Sequence, residues 1–165
     1  MTYPRPSPFK RFVSDEDGGI IVEFSIIMPL MLLFFAITVE SARMMLGYQT
    51  AIAGVRDAGR YLSRITPVDI CLTGGSVAST AGVLKTIVEK DIHGNGLLPA
   101  KVKVNSVTPS YACVAGTYRV SPAPVSKVSA SVTIEFPLAG ILSMFNSSLS
   151  TVTTTIADSS RVFGQ

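Results

Sequence analysis

The sequence predicts an α+β protein: a long N-terminal transmembrane helix continuing into a small domain with a second helix and a three- to four-stranded antiparallel sheet. Three observations predict it. Residues 24–39 (FSIIMPLMLLFFAITV) carry no charge. From residue 39 to residue 64 apolar side chains recur at three- and four-residue steps, the period of a helix. Beyond residue 100 the period falls to two, most clearly in residues 127–136 (KVSASVTIEF), as in a half-buried strand.

At 1.5 Å per residue the uncharged run covers about 24 Å, short of the roughly 30 Å hydrocarbon core of a bilayer. Extending it back to Gly19 reaches that thickness and places Glu23 inside the stretch. Extending it forward passes Glu40 and Arg43, which stand three apart and can pair at the interface, and ends at Leu46. A carboxylate near hydrocarbon is expensive and marks a functional position. Pro29 lies inside the run and removes one helical N–H, a kink that membrane helices tolerate. Arg5, Lys10 and Arg11 precede the span, against Arg43 and Arg56 after it, a small bias toward a cytoplasmic N-terminus. A cleaved secretory signal would need small residues flanking its cut, and Glu40-Ser41-Ala42 offers a glutamate there.

Beyond the span, Tyr48, Ile52, Val55, Ala58 or Gly59, and Leu62 form one apolar stripe, while Arg56, Arg60 and Arg64 share a solvated face. Pro67 ends this helix. A second helix is expected over residues 77–92, with Val77, Ala81, Leu84, Ile87, Val88 and Ile92 inward, Ser76 as its cap, Gly94 at its end and His93 beside its C-terminus. Strands are expected at 101–108, 127–136 and 149–157, with a weaker one at 117–120. Pro109, Ala115-Gly116, Pro122, Pro124, Pro137 and Gly140 mark turns between them. Such a sheet needs a helix over one face, which the distal half of the long helix can supply.

Composition excludes several classes. The balance of 14 basic and 11 acidic residues, net +3, with no basic run, does not suit nucleic acid. Charged residues are only 15% of the chain, which suits a membrane-linked or assembly-prone protein. Two cysteines and one histidine do not make the usual zinc sets, and no metal or other cofactor is expected. Cys71 and Cys113 form one disulfide if this part of the chain is periplasmic, and are buried thiols otherwise. No G-x-S-x-G stretch exists, and TGGS at 73–76 lacks the lysine and spacing of a phosphate loop, so no catalytic residue is assigned.

A glycine pair, Gly18-Gly19, then Glu23, Phe24 and an apolar helix containing proline resemble a type IV prepilin signal. Together with MPL at 28–30, AIAGVRDAGRYLSR in the following helix and SVTIEFPLAG late in the chain, they look like the TadE-like pseudopilins of tight-adherence pili. The resemblance covers the first 65 residues well and 128–157 loosely. It implies a cytoplasmic leader at 1–18, a transmembrane helix at 19–46 and a periplasmic pilin-like domain at 47–165. It implies cleavage by a prepilin peptidase after Gly18, or after Gly19 given the second glycine. It also implies that Glu23 meets the new N-terminal amine of an adjacent subunit in the bilayer. A buried carboxylate and a buried ammonium are each costly, and pairing offsets both while fixing register. The expected function is that of a minor pseudopilin in tight-adherence pilus assembly, not an enzyme. Its partners would be the peptidase, other pilin and pseudopilin subunits, the inner-membrane assembly platform and the lipid bilayer. It would sit in the bacterial inner membrane, with a place in the pilus itself left open. The alternative is a single-pass anchored periplasmic interaction module that is never processed.

Overall fold

The structure is a computed structural model that describes residues 17–136 and 151–164. The greater part of the expected leader, the turn at Pro137 and Gly140, and the expected start of the third strand at 149–150 lie outside the described residues. The chain divides into two compact units, Met1–Val39 and Glu40–Gln165. Helix α1 (Asp17–Ile65) contributes to both.

In the first unit α1 runs helical through Pro29. Ser25 and Thr38 turn their hydroxyls back onto the carbonyls of Ile21 (2.7 Å) and Phe34 (2.9 Å). That bond satisfies the hydroxyl within the helix, as an apolar surround requires.

The second unit contains the rest of α1, a one-turn helix α2 (Ile70–Thr73), a 3-10 turn (Ala78–Thr80), helix α3 (Ala81–Glu89) and strands β1 (Val102–Val114), β2 (Ala123–Glu135) and β3 (Thr151–Arg161). The sheet is antiparallel in the order β1-β2-β3. β2 is central and keeps the expected alternation, with Ser126, Val128, Ala130, Val132 and Ile134 all buried. Its outer face carries Ser129, Ser131, Thr133 and Glu135, so one face is apolar and the other wet. The core joins this inner face to Val104, Val107 and Ile156 of the flanking strands, to Leu84 and Val88 of α3, and to Ala51, Val55, Ala58 and Leu62 of α1. The distal half of the long helix therefore covers the sheet, as expected.

Several expectations are corrected. The stripe on α1 is set by Ala51, Gly54, Val55, Ala58 and Leu62, whereas Tyr48 is exposed. Small residues carry it because backbones approach closely there: a Cβ on Gly54 would lie 2.9 Å from the Val88 carbonyl oxygen. We therefore expect Gly54→Val to destabilise the domain by about 1–3 kcal/mol through overpacking. Gly82→Ala, in α3 with open space around it, should instead stabilise slightly through helix propensity. Denaturant titration of both variants checks the opposite signs.

The second helix ends at Glu89, not Ile92. Asp91 stops it: its carboxylate accepts the N–H groups of His93 and Asn95, both at 2.8 Å, and the Asn95 side-chain amide at 3.0 Å. An aspartate that bonds its own following backbone competes with the helix. These bonds, led by Asn95, hold the Asp91 carboxyl below its ordinary value. Lys90 turns extended and bridges Gly96, His93 lies in the turn, and Ile92 projects into solvent, 96% exposed. At the other end Ser76 accepts the Ala78 N–H at 3.3 Å but lies one residue ahead of Val77, the N-cap of the 3-10 turn, and α3 starts after Thr80.

β1 runs through Pro109 to Val114. As an edge strand it leaves one side unpaired, where a proline without N–H costs little. The register shifts between Val104 and Ser106, so Asn105 is an extra residue. The bulge switches inward positions from even (Val104) to odd (Val107, Pro109) and keeps both halves facing the core. No strand forms at 117–120: Val114 pairs directly with Ala123, and those residues lie in the connection between β1 and β2. β2 also starts earlier than expected and includes Pro124 as its second residue.

The segment after β3 clasps the end of α1. The Phe163 N–H donates to the Ser63 carbonyl at 2.9 Å, supplying one of the partners that a helix C-terminus lacks. Gly164 rests on the Thr66 carbonyl so closely that any Cβ would clash. Ser160 donates to the Gly59 carbonyl at 3.1 Å, on the same helix.

Candidate functional site

Gly18 and Gly19 lie in the first turn of α1. Gly19 has nothing within 4 Å of a notional Cβ, so its backbone stands open. Glu23 follows one helical turn later, exposed, with no ion-pair partner among the described residues. Phe24 is 63% exposed, and Ile20, Ile26, Leu30, Phe34 and Phe35 are similarly bare. Helix Gly19–Ile65 contains a stretch of mean hydropathy 2.6 with none of it buried, long and apolar enough to cross a membrane. An exposed apolar surface all around a helix is what a membrane-spanning segment presents to lipid. Within it Glu23 is a carboxylate with no ion-pair partner among the described residues, on a surface that is otherwise apolar.

The sequence-marked cysteines come together. Cys71 of α2 and Cys113 of β1 form a disulfide with Cα atoms 5.8 Å apart. It fastens α2 to the edge strand, and beside it the Tyr111 hydroxyl donates to the Gly75 carbonyl at 2.9 Å. The arginines behave as a solvated face: Arg56, Arg60 and Arg64 are exposed, and Arg60 makes only a surface pair with Asp57 at 3.7 Å. A pair of that kind contributes little.

Against this geometry the comparison with protein families is decisive for one segment. Residues 18–60 match the model of the TadE-like protein family. The chain carries a TadE-like segment. No curated protein and no solved structure matches the chain. The TadE-like segment begins at Gly18, holds Gly19, Glu23, Phe24 and Pro29, and ends inside the covering part of α1. It overlaps the greater part of the candidate membrane span, Gly19–Ile65.

Sequence reading missed Glu40. Its spacing from Arg43 predicts that the two can pair at the interface. Glu40 is only 7% exposed, its Oε2 has no hydrogen-bond partner, and no ion pair joins it to Arg43 among the described residues. The signal was available in the spacing. Positions 40, 47, 51, 54 and 58 are buried on one face of α1, so the inward stripe continues back to Glu40 in steps of three, four and seven residues.

Proposed function

We propose that this protein is a minor pseudopilin of a tight-adherence pilus: a substrate and building block, not an enzyme. The single observation that carries the proposal is the TadE-like match over the segment that holds the glycine pair, Glu23 and the bare apolar helix. On this reading a prepilin peptidase cuts at the cytoplasmic face after Gly18, or one residue later at Gly19. The freed amine of one subunit then meets Glu23 of the next. Each charge is costly in hydrocarbon by itself, and the pair offsets both. The benefit is axial register between neighbouring helices, since an unpaired subunit shifted by a turn leaves two buried charges.

The folded unit that follows stands on the periplasmic side of the bacterial inner membrane. Its disulfide supports that placement, because such bonds persist in oxidising compartments. Other pilin and pseudopilin subunits, the inner-membrane assembly platform and the bilayer are its partners, and nucleic acid is not. The test is deletion of the chain in a piliated strain. Surface pili counted by electron microscopy should fall severely and return on re-expression. Unchanged piliation in the deletion would overturn the assembly role.

A further inference from the structure

Glu40 closes one side of a cavity of about 130 Å³ whose remaining walls are mainly apolar, with Met44, Val102, Ile134 and Phe136 among them. A buried carboxylate oxygen without a donor costs free energy until something supplies one. The other carboxylate at this cavity is already served. Glu135 accepts Lys103 at 2.7 Å and Lys101 at 3.4 Å, and those lysines, Lys103 first, hold its carboxyl below the ordinary value. Arg43 also lines the cavity, exposed and without an ion pair among the described residues. Its place three residues from Glu40 puts a cation on the same helix face as the unmet anion.

An occupant that satisfies this site therefore carries a hydrogen-bonding cation for Glu40, an anion close by for Arg43, and apolar matter for the walls. We propose that the cavity binds the headgroup of an aminophospholipid, a primary ammonium two carbons from a phosphate, with the ammonium on Glu40 and the phosphate on Arg43. The proposal rests on the membrane-spanning reading of α1. Residues 20–39 are about 30 Å of apolar helix, which brings Glu40, the next residue, to headgroup level. A lysine side chain from a protein partner would serve Glu40 and leave Arg43 unmet. A choline headgroup has no N–H to give, and a glycerol headgroup has no cation.

The test is native mass spectrometry of the full chain released from nanodiscs holding equal amounts of phosphatidylethanolamine, phosphatidylcholine and phosphatidylglycerol. One retained phosphatidylethanolamine is expected, favoured over phosphatidylcholine by about tenfold, the scale of a hydrogen bond to a charged group. Glu40→Gln should bring the two to near parity. Arg43→Ala, at an exposed position, should lower retention of all three without changing their order. Equal retention by the unaltered chain, or a preference that survives Glu40→Gln, overturns the proposal and leaves the membrane span standing. Failure of the chain to enter nanodiscs of any composition overturns both. A photoreactive side chain in place of Met44 should capture lipid in cells, and capture of a protein there would overturn the lipid assignment.

Discussion

Replacing Cys71 and Cys113 together by serine should lower the stability of the folded unit by about 4 kcal/mol, the chain-entropy value for a loop of this length. The bridge spans a sequence separation of 42 residues, so the reduced chain regains considerable freedom on unfolding. The local effect is as direct. Helix α2 has four residues, too few to hold itself, and its Ile70 reaches the core from there. A domain of ordinary stability has about 5–15 kcal/mol in total, so the loss is a large fraction. Urea titration of the full chain in detergent, followed by far-ultraviolet circular dichroism, measures it, and reductant added to the unaltered chain should reproduce the drop. A loss below about 1 kcal/mol would contradict the loop-closure account.

Glu23→Ala should leave membrane integration and leader removal intact while pilus assembly fails. Glu23 has no ion-pair partner among the described residues, so its loss breaks no ion pair there. A carboxylate opposes insertion of an apolar helix, by about 2.5–3.5 kcal/mol at the helix centre and by less near its start, where Glu23 lies. Removing it makes the span easier to insert, not harder. On the proposed function, what disappears is the acceptor for a neighbouring subunit's amine and with it the register between helices. Carbonate extraction, N-terminal sequencing and pilus counts on the same strain separate these effects. Normal piliation in the variant would contradict the pairing role.

The elements that could be read from the sequence are those in which one strong local rule acts alone. The uncharged run gave α1 its membrane character, Pro67 gave its end, and the alternation from Val128 to Ile134 gave the inner face of β2. The elements misread are those where a second rule overrides the first. Pro109 signals a turn, yet on an edge strand its missing N–H is tolerated, and β1 continues. Ile92 fits a helical stripe, yet Asp91 captures the backbone that would continue the helix. The contact of Gly54 with the backbone of Val88 carries no hydropathy signal, because glycine contributes space and not surface. The clasp at Phe163 and Gly164 depends on where β3 ends, which no local pattern states. At the candidate site, the sequence left Cys71 and Cys113 open between a disulfide and two buried thiols, and the structure joins them. Glu40 was not legible, because a charge beside an apolar run reads as an interface residue until the stripe is followed back to it.

The central claim is that the segment around Gly18 and Glu23 is a cleavage and assembly signal on a membrane anchor. The mature N-terminus tests it most directly. Mass spectrometry of the protein extracted from membranes of cells that carry a prepilin peptidase should show a chain beginning at Gly19, or at Ile20 if the second glycine marks the cut. The same protein from cells lacking the peptidase should keep residues 1–18. A chain that retains its leader in peptidase-containing cells would contradict the account and leave an anchored interaction module in its place.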